Sequence, residues 1–203
     1  MKKSLVTLLI SFAVFSLSGC MLGRSTVKKN YYMINGIEYG ETQKESGHIH
    51  APLNAVTVNV SQFQISSAMK RNSFIYRRSE TKYETDFYNE FMASPSEMIT
   101  SNFSRILLLN GFNVIPGLSD YSVYGSLNAF YVDFRDPDAP KSVIDLNIVT
   151  RSNSDHKPVG TKHYFYQQTA QEKTPEAVVE AFNVCLSRIL ADFVDDFTEF
   201  TGK

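Results

Sequence analysis

The sequence has no tryptophan, two cysteines and no excess of either charge. Its 20 Lys and Arg residues nearly balance 21 Asp and Glu residues, and no basic block occurs, which argues against nucleic acid as the main partner. It has no His-Glu-x-x-His, Gly-x-Ser-x-Gly or phosphate-binding glycine-rich loop, and no internal repeat or low-complexity tract. We therefore expect a protein that is not an enzyme.

The N-terminus has the three-part build of a secretory signal. Two lysines precede a mostly apolar stretch from Leu5 to Leu17, and Ser18 and Gly19 then lead to Cys20. The apolar stretch is too short to cross a bilayer as a stable helix, so we favour a signal peptide over a transmembrane anchor. An ordinary signal peptide with a cysteine near its end by chance is the alternative.

Leu-Ser-Gly-Cys at 17–20 resembles the bacterial lipoprotein box, in which a peptidase cleaves before a lipid-modified cysteine. The resemblance implies cleavage between Gly19 and Cys20, and diacylglyceryl and N-acyl groups such as palmitate on Cys20. We expect no other cofactor and no metal. Two or three acyl chains hold a protein firmly on a membrane. An aspartate directly after the cysteine would resemble an inner-membrane retention signal, but this position is Met21. The resemblance therefore favours the outer membrane, with the folded domain facing the periplasm, and the inner membrane is the alternative.

The rest of the chain is long enough for one domain. Removing the signal peptide, residues 1–19, leaves 184 residues and changes the net charge from −1 to −3. We interpret residues 20–30 as the lipidated cysteine and a polar tether, and residues 31–203 as the folded domain. Once Cys20 carries lipid, Cys185 has no disulfide partner, and its apolar helical neighbours predict a buried, unreactive thiol.

Apolar alternation and turn residues predict eight strands. The last three should form an antiparallel meander, with the first of them central in the sheet because it is partly apolar on both faces. The fourth predicted strand is interpreted as the antiparallel partner of the third, and 38–54 and 63–69 are interpreted as loops. The predicted strands are 31–34, 56–60, 73–78, 83–91, 112–115, 121–134, 143–151 and 159–169.

Two helices are predicted from their capping signals. Ser94-Pro95-Ser96-Glu97 combines a serine cap, a proline at the first helical position and a glutamate three residues after the cap, and Asn110-Gly111 predicts the helix end. Thr174-Pro175-Glu176 opens a second amphipathic helix of up to about 25 residues. The fold class is therefore α/β: a single-domain α/β sandwich with a mixed, largely antiparallel sheet and two amphipathic helices.

Three groups of residues could bind a ligand, and each has a plainer interpretation. His48 and His50 could share a metal, but two solvated loop histidines are favoured. The aromatic stretches 74–88 and 121–134 could line a groove for acyl chains, but we favour a sheet core beneath the helices. Carboxylates on the last helix could bind a cation, but a solvated helix face is favoured: Asp192, Asp195, Asp196 and Glu199.

Several motifs follow one another in a recognisable order along the chain after Cys20. They are Tyr31-Tyr32-Met33-Ile34 soon after Cys20, Val56 to Val60, Ile75-Tyr76-Arg77, Tyr88 to Pro95 at the start of the first helix, Asn110-Gly111-Phe112, Tyr124 to Phe130, and the long terminal helix. This order resembles the ABC-type transport auxiliary lipoproteins, the PqiC-type group of the MCE lipid-transport systems. The chain departs from the family at Phe91-Met92-Ala93, where the family often has Trp-Ala.

The resemblance implies a mixed-sheet α/β/α fold of the anticodon-binding-domain-like kind, also seen in the N-terminal domain of TolB. It implies a non-enzymatic outer-membrane component of an MCE/ABC-type phospholipid transport system that docks or anchors a periplasm-spanning MCE protein. An inner-membrane permease and ATPase would be further partners. Whether phospholipid or a second copy of the chain also binds is left open.

Tyr76 and Arg77 match a recurrent Tyr-Arg pair of the family. A structural role would have the arginine stem packed on a tyrosine ring and its head paired to a carboxylate. An assembly or scaffolding lipoprotein, pilotin-like or TolB-like, that binds an envelope protein client is the alternative function, and a hydrolase is the third.

Overall fold

The computed structural model describes residues 28–38 and 55–202, which form nine strands and two helices. The helices are α1 (Pro95–Leu109) and α2 (Pro175–Thr201). The strands, in chain order, are β1 (Asn30–Tyr32), β2 (Thr57–Val60), β3 (Gln64–Ile65), β4 (Ser73–Arg77), β5 (Tyr83–Phe91), β6 (Asn113–Val114), β7 (Tyr121–Asp133), β8 (Lys141–Ser152) and β9 (Pro158–Thr169).

Strand β7 is the centre of the sheet. Along one of its edges β2, β3 and β4 follow each other, and all three run parallel to it. Along its other edge β8 runs antiparallel and pairs in turn with β9, which confirms the predicted meander and the central place of this strand. Beyond β4 lie β5, antiparallel, and β1, parallel to β5, while β6 lies parallel to β2.

Helix α1 begins as its sequence predicts. The Ser94 side chain accepts a hydrogen bond from the Glu97 backbone amide, and the Glu97 carboxylate accepts one from the Ser94 amide. These bonds satisfy two of the amide groups that a helix start leaves without intrahelical partners. After α1, Gly111 adopts a φ of 80°, a left-handed conformation that glycine reaches without strain.

Both helices pack on the same face of the sheet. Phe103 of α1 and Phe193 of α2 lie 4.7 Å apart between ring centroids, and one continuous core joins the helices to the sheet. The predicted α/β sandwich is therefore confirmed as two layers. The α/β/α arrangement implied by the resemblance is wrong here, because the apolar stripes of both helices share that single core and no described helix covers the opposite face.

The core beneath the helices is rich in aromatic rings. Phe182 of α2 stacks on Phe130 of β7 at 4.4 Å and meets Phe91 edge-on at 6.0 Å. Fully buried aromatic side chains contribute large apolar areas and restrict one another's rotamers. The sheet is thus a firm platform for side chains on its opposite face, which is called the outer face below.

Candidate docking surfaces and the entry of the chain

The N-terminal part of the chain enters the domain at an edge of the sheet. Gly19 and Cys20 lie outside the described residues, as do His48 and His50. Residues 21–27 separate Cys20 from Lys28, and β1 follows at Asn30. Within the described ranges β1 pairs with β5 alone. The tether therefore leads directly into an edge strand of the sheet.

Two buried asparagines fix the chain just after β1. Asn183 of α2 accepts a hydrogen bond from the Asn35 amide at 2.7 Å, and Asn102 of α1 accepts one from the Gly36 amide at 3.2 Å. Gly36 lies so close to Leu186 that an added Cβ would be 2.6 Å from the leucine Cγ. We call these contacts the asparagine clamp; through them both helices hold the segment that continues the tether.

The asparagine clamp is a feature that the sequence motifs did not predict. A signal was nevertheless present, because Asn183 lies four residues after Val179 and three before Leu186, on the apolar stripe of α2. A polar residue within such a stripe is buried with its helix and needs a hydrogen-bond partner there. Asparagine on an apolar stripe therefore indicated a buried polar contact.

Tyr76 faces the helical side of the sheet. Its hydroxyl donates a hydrogen bond to Asp86 at 2.6 Å, and its ring meets Phe134 edge-on at 5.2 Å. The Arg78 guanidinium lies 5.2 Å from the centre of the same ring. Burial and the bond to Asp86 raise the pKa of the Tyr76 hydroxyl, so it stays protonated and keeps this bond.

Arg77 faces the other way, because successive strand residues point to opposite faces. Its guanidinium lies 5.9 Å from the Tyr83 ring centre and 5.8 Å from that of Tyr131, donates to the Tyr131 hydroxyl at 3.2 Å, and is paired with Glu80. The guanidinium thus has two aromatic neighbours and a carboxylate partner, but neither ring is that of Tyr76.

The outer face carries large side chains that no described helix covers. Tyr83 and Tyr131 meet edge-on at 5.7 Å, and strand register places Val143 beside Tyr131. Val143 is only 2% exposed although it lies outside the helix-covered core, so its neighbours on the outer face bury it. Phe165 of β9 is 50% exposed. The two aromatic stretches are therefore divided between the core and an exposed surface.

Two of the four carboxylates singled out on α2, Asp192 and Asp196, have partners on β9, while Asp195 and Glu199 are exposed. Asp196 accepts a hydrogen bond from the Tyr164 hydroxyl at 2.8 Å and forms an ion pair with Lys162 at 2.7 Å. Asp192 accepts a hydrogen bond from the Tyr166 hydroxyl at 2.5 Å. Burial, with the bond to Asp196, raises the pKa of Tyr164. These carboxylates fasten β9 to the helix, and no cluster of three or more His, Cys, Asp or Glu suited to a metal occurs in the described part of the chain.

Cys185 is 1% exposed, and its thiol donates weakly to the Ser142 carbonyl at 3.4 Å. Burial raises the pKa of this thiol to about 12, so the reactive thiolate is scarce at neutral pH. The predicted burial of this cysteine is confirmed.

None of the helices among residues 28–38 and 55–202 is both long enough and apolar enough to span a membrane.

Comparison with known proteins gives matches in structure alone. No protein-family model matches the sequence, and no curated protein does. Protein XCC0632 from Xanthomonas campestris, of family DUF330, matches with a TM-score of 0.65 at 17% identity, over 75% of this chain and 88% of that one. An uncharacterized protein matches with a TM-score of 0.65 at 14% identity, over 84% of this chain and 99% of that one.

Bacterial lipoproteins occur among the more distant structural neighbours. Lipoprotein GNA1162 from Neisseria meningitidis has a TM-score of 0.39 at 7% identity, over 71% of this chain and 99% of that one. A likeness this remote carries no argument about function. The two better matches establish the fold, which many unrelated functions can share.

Proposed function

We propose that the mature chain is a non-enzymatic, lipid-anchored protein of the outer membrane that docks a periplasm-spanning MCE protein of an ABC-type phospholipid transport system. The lipid on Cys20 gives position, and the folded domain gives the docking surface. The family resemblance in the sequence supports this role, and the shared fold with a DUF330 protein is consistent with it.

The observation that carries the docking role is the composition of the outer face. Tyr83, Arg77, Tyr131 and Phe165 place rings and a guanidinium on a rigid sheet, with Tyr83 45% and Phe165 50% exposed. Tyrosine, phenylalanine and arginine are enriched at protein interfaces, and rigid rings lose little conformational entropy on binding. Contiguous exposed apolar surface with polar surroundings is typical of interaction sites on soluble domains.

The β9 edge adds a second element to this surface. Its 12 residues pair with β8, and no other described strand lies along its far side. Unpaired amides and carbonyls on an edge can accept an extended segment of a partner. Phe165 lies on this strand, so a docked segment would meet the ring and the open backbone together.

The test is photo-crosslinking of the lipidated protein in intact envelopes. A benzophenone amino acid replaces Phe165 on the outer face. As a control, it replaces Leu108, which is 37% exposed and lies on α1 in the helical layer. We expect an MCE protein crosslinked from position 165 and not from position 108. Phospholipid crosslinked from position 165 would add a lipid-carrying role to docking.

Two further results would contradict the proposal. A secretin or a peptidoglycan-linked protein crosslinked at position 165, with no MCE protein, would favour the scaffolding alternative.

Separation of the two membranes on a density gradient tests the location: the wild type should follow the outer membrane, and Cys20→Ser should lose that association. Wild-type protein in the inner-membrane fraction would overturn the proposed location.

A further inference from the structure

Five large apolar side chains are exposed at the corner of the domain where the tether enters. Tyr31, Met33, Phe87, Tyr88 and Met92 are each 56 to 66% exposed. All five lie on β1, on β5 or within a residue of those strands. We call them the anchor-side patch.

The anchor-side patch is contiguous across the β1–β5 pair. Tyr31 is paired in register with Glu90, and the Met92 amide donates to the Tyr32 carbonyl at 2.8 Å. The Phe87 and Tyr88 rings meet edge-on at 5.4 Å, and the Lys29 ammonium lies 5.2 Å from the centre of the Phe87 ring. The exposed side chains therefore form one surface around the point where residues 28–30 join the sheet.

The length of the tether keeps this corner near the membrane. From Cys20 to Lys28 there are eight steps along the chain, and a fully extended chain spans at most about 3.3–3.6 Å per residue. Lys28 therefore lies within about 29 Å of the lipidated residue. The asparagine clamp holds the chain just beyond β1 to both helices, so this limit applies to the folded domain itself.

We propose that the anchor-side patch docks on the phospholipid bilayer surface that holds the acyl chains of Cys20; this inference rests on the lipid anchor of the proposed function. Tyrosine and phenylalanine rings suit the boundary between headgroups and acyl chains, and methionine adds flexible apolar area. Lys28, exposed beside the patch, complements anionic lipids. A bilayer is the occupant that the short tether brings to this corner in every molecule.

Docking in this way orients the rest of the domain. Strand β9 is five strand positions from β1, through β5, β4, β7 and β8. At about 4.8 Å per strand, the open β9 edge lies roughly 24 Å away from the strand at the membrane. The edge and Phe165 are thus well separated from the docked corner, and a periplasmic partner can reach them without displacing it.

The test uses the lipidated full chain in vesicles of phosphatidylethanolamine and phosphatidylglycerol. Met92→Cys is labelled with an environment-sensitive NBD fluorophore; Cys185 is buried and Cys20 carries lipid, so the new thiol takes the label. Leu118→Cys is the matched control, because Leu118 is 97% exposed. It lies just before the first residue of β7, whereas β4 pairs with the last residues of that strand. Ser73 of β4 pairs with Glu90 near Met92 and lies about eight residues along β7 from Tyr121, which is roughly 25 Å at about 3.3 Å per residue.

We expect a blue-shifted emission at position 92, quenched by nitroxide on lipid headgroups, and a water-like, unquenched emission at position 118. Phe87→Gln with Met33→Gln, in the Met92→Cys protein, should reduce the ratio of docked to undocked molecules about tenfold or more, since two apolar contacts are lost. Quenching at position 92 that survives this double substitution would show proximity without docking and would overturn the inference.

Mass spectrometry of Cys20 in the same preparation separates the two proposals. A lipidated Cys20 with water-like emission at both positions would overturn the docking of the patch and leave the anchor standing. A Cys20 without lipid would overturn both. Blue-shifted emission at both positions would show nonspecific insertion and would also contradict the inference.

Discussion

The asparagine clamp gives the sharpest prediction about stability. Asn183 is 5% exposed, and its side-chain oxygen accepts the Asn35 amide hydrogen at 2.7 Å. Asn183→Ala removes the acceptor and leaves that amide without its partner in a site closed by α2. A buried donor left unsatisfied costs about 1–3 kcal/mol, so the free energy of unfolding should fall by about that amount.

Urea denaturation followed by circular dichroism measures this change. With a denaturant slope of about 2–3 kcal/mol per molar, a loss of about 1–3 kcal/mol lowers the midpoint by about 0.3–1.5 M. Hydrogen exchange adds a local readout, since the Asn35 amide should exchange faster in the variant while the β7–β8 ladder stays protected at low denaturant.

The control is Asn147→Ala, which removes an exposed asparagine from the outer side of β8. A surface substitution of this kind should change the free energy of unfolding by no more than about 0.5 kcal/mol. Equal midpoints for the Asn183 and Asn147 variants would refute the reasoning, because the clamp would then contribute nothing to stability.

Three further predictions concern single side chains. Burial alone would raise the pKa of the Asp86 carboxyl, but hydrogen bonds from neighbouring amides and from Tyr76 outweigh it and hold that pKa below its usual value. Asp86→Asn should therefore lower the free energy of unfolding at pH 7. This difference between the variant and the wild type should vanish as the pH falls from about 4 through the folded-state pKa. Urea denaturation at several pH values measures the difference, and a difference that does not change with pH would contradict the prediction. Gly36→Ala places a Cβ 2.6 Å from Leu186 Cγ and should destabilise the fold by about 1–3 kcal/mol, and an unchanged thermal midpoint would argue against that close approach. The Cys185 thiol should resist maleimide in the folded protein and react fully in urea, and fast labelling without urea would disprove its burial.

Local chemistry made the secondary structure predictable. The Ser94 cap, the following proline and Glu97 predict the start of α1 because they act on backbone groups within one helical turn. The alternation in 143–151 predicts β8 because side chains of a strand point to opposite faces. Each signal depends on residues close together in the chain, and each predicted element was found where its signal stands. Strand β3 is the exception in the other direction: it lies within 63–69, which was interpreted as a loop, because two residues are too few to show alternation.

The arrangement of these elements was harder to predict. Strands β2, β3 and β4 share one edge of β7, and their pairing joins segments more than 50 residues apart along the chain. Alternation separates Tyr76 from Arg77, but it does not tell which face the helices cover. That choice depends on both helices packing together, as Phe103 and Phe193 do, and it decides which aromatic residues are left on the outer face.

The place where the chain joins the sheet also determines how the domain responds to force. A three-residue edge strand, pulled from its N-terminal end, would peel away from β5 one residue pair at a time. The asparagine clamp lies immediately beyond that strand and connects it to α1 and α2. Tension applied from the N-terminal side would therefore pass into two packed helices, and the peeling of β1 would stop at the clamp.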